Sequence, residues 1–308
     1  MELFPTPTEA IIKPRKGLYQ NVPAWASKVP MLHQSFAGRL VGLSPLHAWH
    51  RAFGAVPGDE EYSEARSFGQ VAHSVLLGGG DLAVIDAPDW RTAAARERRD
   101  EALSAGKTPI LKARYQQALE LAVKVPAALE ANGCPALTGK SEATAIWRKN
   151  GIWCQSRLDH VIIPAPKKSF SGALIYDFKF TTTEATKRAC ERKFIELGYD
   201  VQHAAYVEAI EHIYPRLRDR VKMTFVFVEV NPPHAIRVMP VGGTMRMSGM
   251  VRWAEAREKW AQYLEKYGTE KPWPGYADNG EPAECPAWAL RSQQESLDTF
   301  NPEEGEAA

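Results

Sequence analysis

The residues best suited to chemistry lie in one short apolar stretch, residues 173–182, where Asp177 and Lys179 stand two positions apart. β-Branched and aromatic residues are common there, and Ser171-Gly172 precedes it, which predicts a buried strand. Side chains alternate along a strand, so Asp177 and Lys179 share one face. Burying a carboxylate and an ammonium is costly unless they are paired or used. A catalytic pair and a structural ion pair both fit this strand taken alone.

The opposite face of the same strand carries only apolar and aromatic side chains. We expect that face to be the core face, and its members are Leu174, Tyr176, Phe178 and Phe180.

A second pair of strands must stand close by. Asn150-Gly151 separates two strand-like runs, which is a strong signal for a two-residue hairpin turn. That turn places Glu142 opposite Asp159, with the two Cβ atoms about 5 Å apart. Two facing carboxylates repel each other and must be neutralised, either by Arg157 on the same face or by a divalent cation. A single bulge between them would instead turn Glu142 to the other face.

Two predicted helices carry further polar side chains. The helix over residues 66–77, ended by Gly78-Gly79-Gly80, has His73 at the flank of its apolar face. On that pattern alone, a plain boundary histidine is commoner than a ligand. The helix that begins at Asp200 carries Gln202 and Tyr206 one turn apart on the same face.

The remaining pattern completes a mixed α/β arrangement. Further helices are expected at residues 31–43, 45–54, 112–131, 183–197 (capped by Thr183) and from 244 or 248 to 267, with strands at 221–230 and 235–241. The charged run 91–101 fits a solvated helix or a mobile loop. Residues 1–30 are punctuated by prolines and are expected to form an arm, and the acidic tail 291–308 is expected to be disordered.

Composition restricts the class of protein. The chain has 308 residues, 44% hydrophobic and 24% charged, with a net charge of +1, so a nucleic-acid site would have to be a local basic patch. The four cysteines are scattered without a CxxC pair, which argues against zinc and iron–sulfur sites and fits a reducing compartment. The first residues lack an apolar leader segment, and no stretch approaches 18 apolar residues. We therefore expect a cytoplasmic protein without a membrane anchor.

Together, these residues suggest metal-assisted phosphodiester hydrolysis. Carboxylates on neighbouring strands can hold Mg²⁺, which prefers oxygen ligands and lowers the pKa of a bound water. A lysine beside that water can orient it or stabilise the charge that develops on the phosphate.

The ordered set of motifs resembles the PD-(D/E)XK nuclease superfamily and, within it, the RecE (exonuclease VIII) nuclease domains of phage and prophage recombination systems. The matching segments are Ser44-Pro45-Leu46-His47, Phe68-Gly69-Gln70-Val71-Ala72-His73, Arg157-Leu158-Asp159, Tyr176-Asp177-Phe178-Lys179, Gly198-Tyr199-Asp200-Val201-Gln202 with Tyr206, Trp273-Pro274-Gly275-Tyr276 and Pro286-Ala287-Trp288. The resemblance implies a restriction-endonuclease-like fold with a central mixed sheet flanked by helices, forming a single domain over residues 31–290.

The resemblance also implies a role for each matching residue. His73, Asp159, Asp177 and the main-chain carbonyl of Phe178 would be metal ligands, and Lys179 the catalytic lysine. Glu142 would serve a possible second metal. Gln202 and Tyr206 would position the scissile phosphate or the DNA strand.

The implied activity is Mg²⁺-dependent degradation of linear double-stranded DNA from 5′ ends, with Mn²⁺ able to substitute and no iron–sulfur cluster. The implied partners are DNA ends, a RecT-like annealing protein and further copies of the chain in a ring, in the cytosol of a bacterium or of a phage-infected host. A nuclease of other specificity and a non-catalytic DNA-binding module are the alternatives. One departure is Phe180, which stands where relatives usually have Thr after the lysine, so Thr181 and Thr182 would take over.

Overall fold

A mixed sheet forms the centre of the molecule. The computed structural model describes residues 15–54, 63–165, 172–277, 280–285 and 290–291. Seven of the strands in these ranges form this sheet: β1 (Gly17–Tyr19), β2 (Leu32–His33), β5 (Lys140–Lys149), β6 (Ile152–Ile162), β7 (Ala173–Thr181), β8 (Val221–Glu229) and β9 (Ile236–Pro240). Their order is β1-β5-β6-β7-β8-β9, with β2 pairing β6. β7 and β8 are parallel, whereas β6 and β9 run antiparallel to their neighbours in that order.

Helices cover both faces of this sheet. They are α1 (Gln34–Gly42), α2 (Pro45–Trp49) continued by a π-helical turn (His50–Gly54), α3 (Glu64–Leu77), α4 (Ala93–Ser104), α5 (Lys112–Ala131), α6 (Lys187–Glu196), α7 (Tyr199–Ile213) and α8 (Gly243–Tyr267). A small parallel sheet of β3 (Leu82–Ile85) and β4 (Thr108–Leu111) flanks α4. The predicted fold class, a central mixed sheet flanked by helices, is confirmed.

The expectation that only one face of β7 is a core face was wrong. Tyr176 and Phe178 pack in a core with α3 and α5, as predicted, but Ile175 on the Asp177 face belongs to a second core with α1, α7 and α8. The reason is the parallel pairing of β7 with β8, because parallel strands are normally buried on both faces. Asp177 therefore lies in the interior and is fully buried.

The β5–β6 hairpin has the predicted register and an unpredicted kink. Trp147 pairs with Cys154, and the register is unchanged on either side of Glu142 and Asp159. Glu142, however, has a left-handed φ of 53°. On the other strand, Leu158 and Val161 both pack in the α7–α8 core although they are three residues apart, which a regular strand does not allow. The strands therefore exchange faces at this pair, without a shift in register.

Two boundaries differ from the sequence-based expectation. Part of the expected arm is packed, because β1 pairs with β5 and Ala26 is buried. Helix α6 begins after Thr186, whose hydroxyl accepts from the Ala189 N–H, rather than after Thr183. The charged run 91–101 was expected to form either a solvated helix or a mobile loop, and it forms part of helix α4. Residues 1–14 and 292–308 lie outside the described residues, so the extent of the arm and the state of the tail stay predictions.

Helices α7 and α8 approach closely at one glycine. A Cβ on Gly249 of α8 would lie 2.1 Å from the main-chain oxygen of Asp200 in α7. The Asp200 carboxylate is fully buried and lies 2.7 and 2.8 Å from Arg252 Nη1 of α8. This contact fixes the first turn of α7, and Gln202 lies in that turn.

We therefore predict that Gly249→Ala lowers the free energy of unfolding by about 1–3 kcal/mol, the usual cost of overpacking. Gly243→Ala, at the start of the same helix where the added Cβ meets nothing within 4 Å, is the control and should be neutral or slightly stabilising. Urea unfolding measures both, and equal effects of the two substitutions would contradict the close approach.

Candidate active site

Three carboxylates lie side by side on three adjacent strands. Glu142 on β5 and Asp159 on β6 occupy the kink in the hairpin. The ladder between β6 and β7 ends at the pair His160–Tyr176, so the next position, Asp159 beside Asp177, lies where the strands separate. The freed N–H of Phe178 donates to Asp159 Oδ2 at 2.8 Å. The carboxylates thus gather where the sheet opens.

Helix α3 brings a histidine to two of these carboxylates. His73, Glu142 and Asp159 each offer a ligand atom, and these atoms all lie within 4.8 Å of one another. His73 Nδ1 lies 3.5 Å from Asp159 Oδ2. Burial lowers the pKa of His73, although the carboxylates of Asp177 and Glu142 oppose that shift. The imidazole is therefore neutral near pH 7, the form that can bind a metal.

An arginine side chain holds Glu142 in place. Arg157 Nε lies 2.5 Å from Glu142 Oε2, although the arginine side chain is largely exposed. Of the two ways of neutralising the carboxylate pair, the arginine is therefore present in the structure. A divalent cation at the cluster would compete with Arg157 for Glu142.

Asp177 forms the centre of a separate buried network. Lys179 Nζ lies 2.5 Å from Asp177 Oδ1, as an ion pair whose direction falls outside hydrogen-bond geometry. Gln202 on α7 joins both residues, because its Nε2 donates to Asp177 Oδ2 at 2.5 Å and its Oε1 accepts from Lys179 at 3.1 Å. Gln202 Nε2 also donates to the Tyr206 hydroxyl, which donates to the main-chain oxygen of Arg157 at 2.5 Å. Helix α7 therefore fixes the orientation of the Asp177–Lys179 pair.

The pKa shifts follow from this crowding. Burial raises the pKa of Asp159 to about 6, against the opposing effect of Lys179. Burial and the neighbouring Asp159 raise the pKa of Asp177 to about 6 as well. Burial alone would lower the pKa of Lys179, but the carboxylates of Asp177 and Asp159 outweigh it, and the pKa is raised. Lys179 is therefore an ammonium at neutral pH, whereas burial disfavours the charged forms of Asp159 and Asp177.

The structure brings together most of the predicted site residues, with two qualifications. Asp177 lies outside the three-residue cluster, and its oxygens contact Lys179 and Gln202. Tyr206 is buried and uses its hydroxyl internally, so its position supports a role in orienting Gln202 rather than a direct contact with DNA. The main chain of Phe178 reaches the cluster, because its N–H donates to Asp159 Oδ2, and its ring centre lies 6.5 Å from that of His73.

One residue at the site had no role in the sequence-based prediction. The Lys179 ammonium lies 4.6 Å from the centre of the Tyr199 ring, a cation–π contact. Tyr199 is three residues before Gln202 on α7, so the helical period could have placed both on the same face.

The site opens into a cavity of about 960 Å³. Asp159 and Glu142 line it together with five cationic side chains, Arg66, Arg114, Arg157, Lys179 and Lys193. A chain of nearly neutral net charge thus concentrates positive charge around its carboxylate cluster. The positive charge of such a cleft attracts a polyanion that the carboxylates of the protein would otherwise repel.

Comparison with known families now decides the class of protein. The family model of the PD-(D/E)XK nuclease superfamily matches residues 43–289. The chain belongs to this superfamily. It is therefore a nuclease, and its mixed α/β fold is that of a PD-(D/E)XK protein.

One solved structure agrees on the fold. The crystal structure of a "Putative exonuclease" from Eubacterium rectale has a TM-score of 0.53 at 12% identity, over 89% of this chain and 96% of that one. The crystal structure of SSO0001 gives a TM-score of 0.28 at 13% identity, over 65% of this chain and 84% of that one, and supports no inference. No curated protein matches the chain.

Among the described helices, none has the length and apolar character to cross a membrane.

The nucleases of this superfamily use divalent metals, and the residues present fit such an ion. Two carboxylates and a neutral imidazole converge within 4.8 Å, and burial raises the pKa of Asp159, one of the two carboxylic acids. Hard cations prefer carboxylate oxygens, and neutral imidazole is a common further ligand. His73, Glu142 and Asp159 would hold the ion, and Asp177 would join them if it released Gln202 or Lys179.

If Glu142 is a ligand, a divalent cation should stabilise the wild type more than Glu142→Gln. A tenfold loss of affinity in the variant would remove about 1.4 kcal/mol of the stabilisation by saturating Mg²⁺. Thermal melting across a Mg²⁺ titration measures the difference.

Glu255→Gln is the control, since Glu255 pairs with Lys259 on the surface of α8. Its melting shift with Mg²⁺ should equal that of the wild type. An equal shift in Glu142→Gln would show that Arg157 keeps Glu142 out of the site.

Proposed function

We propose that this chain is a Mg²⁺-dependent DNA exonuclease that degrades linear double-stranded DNA from 5′ ends and leaves 3′ single strands. The observation that carries the proposal is the His73–Glu142–Asp159 cluster beside a protonated Lys179 in one basic cleft. The fold similarity to the Eubacterium rectale protein described as an exonuclease favours that activity. The resemblance to RecE nuclease domains favours the 5′ polarity.

A divalent ion, Lys179 and the residues that orient Lys179 would each contribute to the chemistry. A divalent ion at the cluster would acidify a water molecule for attack on the phosphodiester. Lys179, held as an ammonium, would stabilise the negative charge that develops on the phosphate oxygens, because a protonated lysine cannot accept the proton of that water. Asp177 and Gln202 would orient the Lys179 ammonium, and a hydrogen bond to Tyr206 would fix the position of Gln202. Such preorganised groups need no rearrangement when the charge develops.

The wider setting is proposed on the same resemblance. The catalytic domain would span residues 31–290 and act in the cytoplasm of a bacterium or a phage-infected host. It would work as a ring of identical chains and pass its single-stranded product to a RecT-like annealing protein.

We predict that Lys179→Met lowers kcat by about 10² to 10³, the usual loss for one preorganised charge donor, and leaves DNA affinity nearly unchanged. Lys222→Met, an exposed lysine on β8, is the control and should keep normal kcat. Single-turnover cleavage and equilibrium binding measure the two quantities separately. Lost binding with kcat preserved at saturating DNA would instead make Lys179 a backbone contact.

The proposed specificity predicts a distinct pattern of products. With Mg²⁺, a 5′ end label on linear duplex DNA should be released before an internal label, and covalently closed circles should stay intact. Lys179→Met serves as the blank. Cleavage of circles would favour an endonuclease, and early release of a 3′ label would reverse the polarity. No hydrolysis with Mg²⁺ or Mn²⁺ would favour a non-catalytic DNA-binding module.

A further inference from the structure

A lysine and two threonines form a cluster at the end of β7. Lys193 Nζ, from α6, donates to Thr181 Oγ1 at 2.5 Å and to Thr183 Oγ1 at 2.9 Å. The Thr183 N–H also points to Thr181 Oγ1, at 3.3 Å. Each of the three side chains carries hydrogen-bond donors, and none has an acid function.

In the part of the chain that the structure describes, no carboxylate pairs with the positive charge of this cluster. Among the described residues, Lys193 forms no ion pair, and its partners are hydroxyl oxygens. The nearest acidic position across the sheet is Glu229, opposite Thr181, and its Oε1 accepts from the Ala185 N–H at 2.6 Å. Arg237 is occupied too, because it donates to the Ala185 oxygen. A half-buried ammonium with only neutral partners favours an anion beside it.

Two members of the cluster, Lys193 and Thr181, lie in the same cleft as the proposed catalytic residues. Lys193, Thr181 and Thr182 line the cavity into which Lys179 also projects. Thr181 follows Lys179 by two positions on the same face of β7, about 6.6 Å further along the strand. Phe180 between them points to the opposite face, where its ring packs 5.5 Å from the His73 ring. The spacing suits two neighbouring phosphates of one DNA strand.

We propose that Lys193, with Thr181 and Thr183, binds the phosphate group next to the scissile one. This rests on the proposed function, since it takes DNA as the ligand of the cleft. The ammonium would contact the phosphate directly, and the two hydroxyls would turn from accepting from Lys193 to donating to phosphate oxygens. The ligand is either a phosphodiester within the strand or a terminal 5′-phosphomonoester, which have this chemistry in common.

The salt dependence of binding tests the proposal without catalysis. A fluorescent single-stranded oligonucleotide is titrated in EDTA across a series of salt concentrations with wild type, Lys193→Met, Lys193→Arg and Lys187→Met. Each phosphate contact contributes about 0.7 to the slope of log affinity against log salt for single strands. Lys193→Met should lose about that much, and Lys193→Arg should retain most of it.

Lys187→Met is the matched control. Lys187 lies on the same helix, its side chain is 76% exposed, it pairs with Glu191 at 3.7 Å, and it does not line the cavity. Its slope should stay close to that of the wild type. Equal slopes for Lys193→Met and wild type would overturn the proposal, and a lowered melting temperature with that result would leave Lys193 a structural role only.

Two oligonucleotides, one with a 5′-phosphate and one with a 5′-hydroxyl, identify the source of the phosphate. If the subsite holds a 5′-phosphomonoester, wild type should prefer the phosphorylated strand and Lys193→Met should lose that preference. If it holds a phosphodiester, Lys193→Met should weaken both strands equally. Binding through Lys193 by a protein that never cleaves DNA would contradict the proposed nuclease specificity and leave this subsite standing.

Discussion

The repulsion among three crowded carboxylates is the constraint on which the rest of the site depends. Glu142, Asp159 and Asp177 lie on three adjacent strands, and burial raises the pKa of both aspartates to about 6. Two cationic side chains offset part of this negative charge. Arg157 pairs with Glu142, and Lys179 pairs with Asp177. Removing Lys179 would leave the fully buried Asp177 carboxylate without its paired charge. A divalent cation bound at the same place would relieve this repulsion.

The backbone is shaped to permit this crowding. A continuous ladder would separate the three carboxylates onto regular positions of the sheet and occupy the N–H of Phe178. Instead, the hairpin kinks at Glu142, and β6 and β7 part at Asp159, whose side chain accepts from that N–H. A left-handed glutamate is an uncommon conformation and is typical of functional sites. The opening also lets His73 reach the cluster from α3.

Helix α7 acts as the rigid support of the lysine. It contributes Tyr199 beneath the ammonium and Gln202 beside it. Its other face is tied to α8 through two buried ion pairs, Asp200 with Arg252 and Glu208 with Arg257. Because these ion pairs join α7 to α8, small movements of α8 would be transmitted to Lys179. A buried polar network of this kind specifies one arrangement of the helices.

Much of this could be predicted from the sequence, because local patterns determine it. Alternation placed Asp177 and Lys179 on one face, the Asn150-Gly151 turn fixed the hairpin register, and helical periodicity located His73. The kink at Glu142 was not predictable, since glutamate has no preference for a left-handed φ and only the tertiary fold imposes it. Lys193 escaped notice for a related reason: a lysine on a polar helix face has no pattern that distinguishes it, and only the packing of α6 beside β7 brings it to Thr181.

Anomalous diffraction from crystals soaked in Mn²⁺ tests most directly the claim that the carboxylate cluster is a metal site. We predict one peak at about 2.0–2.2 Å from oxygens of Asp159 and from the His73 ring, with Glu142 released from Arg157 and turned to the ion. The fold should be otherwise unchanged. Mn²⁺ bound elsewhere, or no peak with the Arg157–Glu142 pair intact, would contradict the claim.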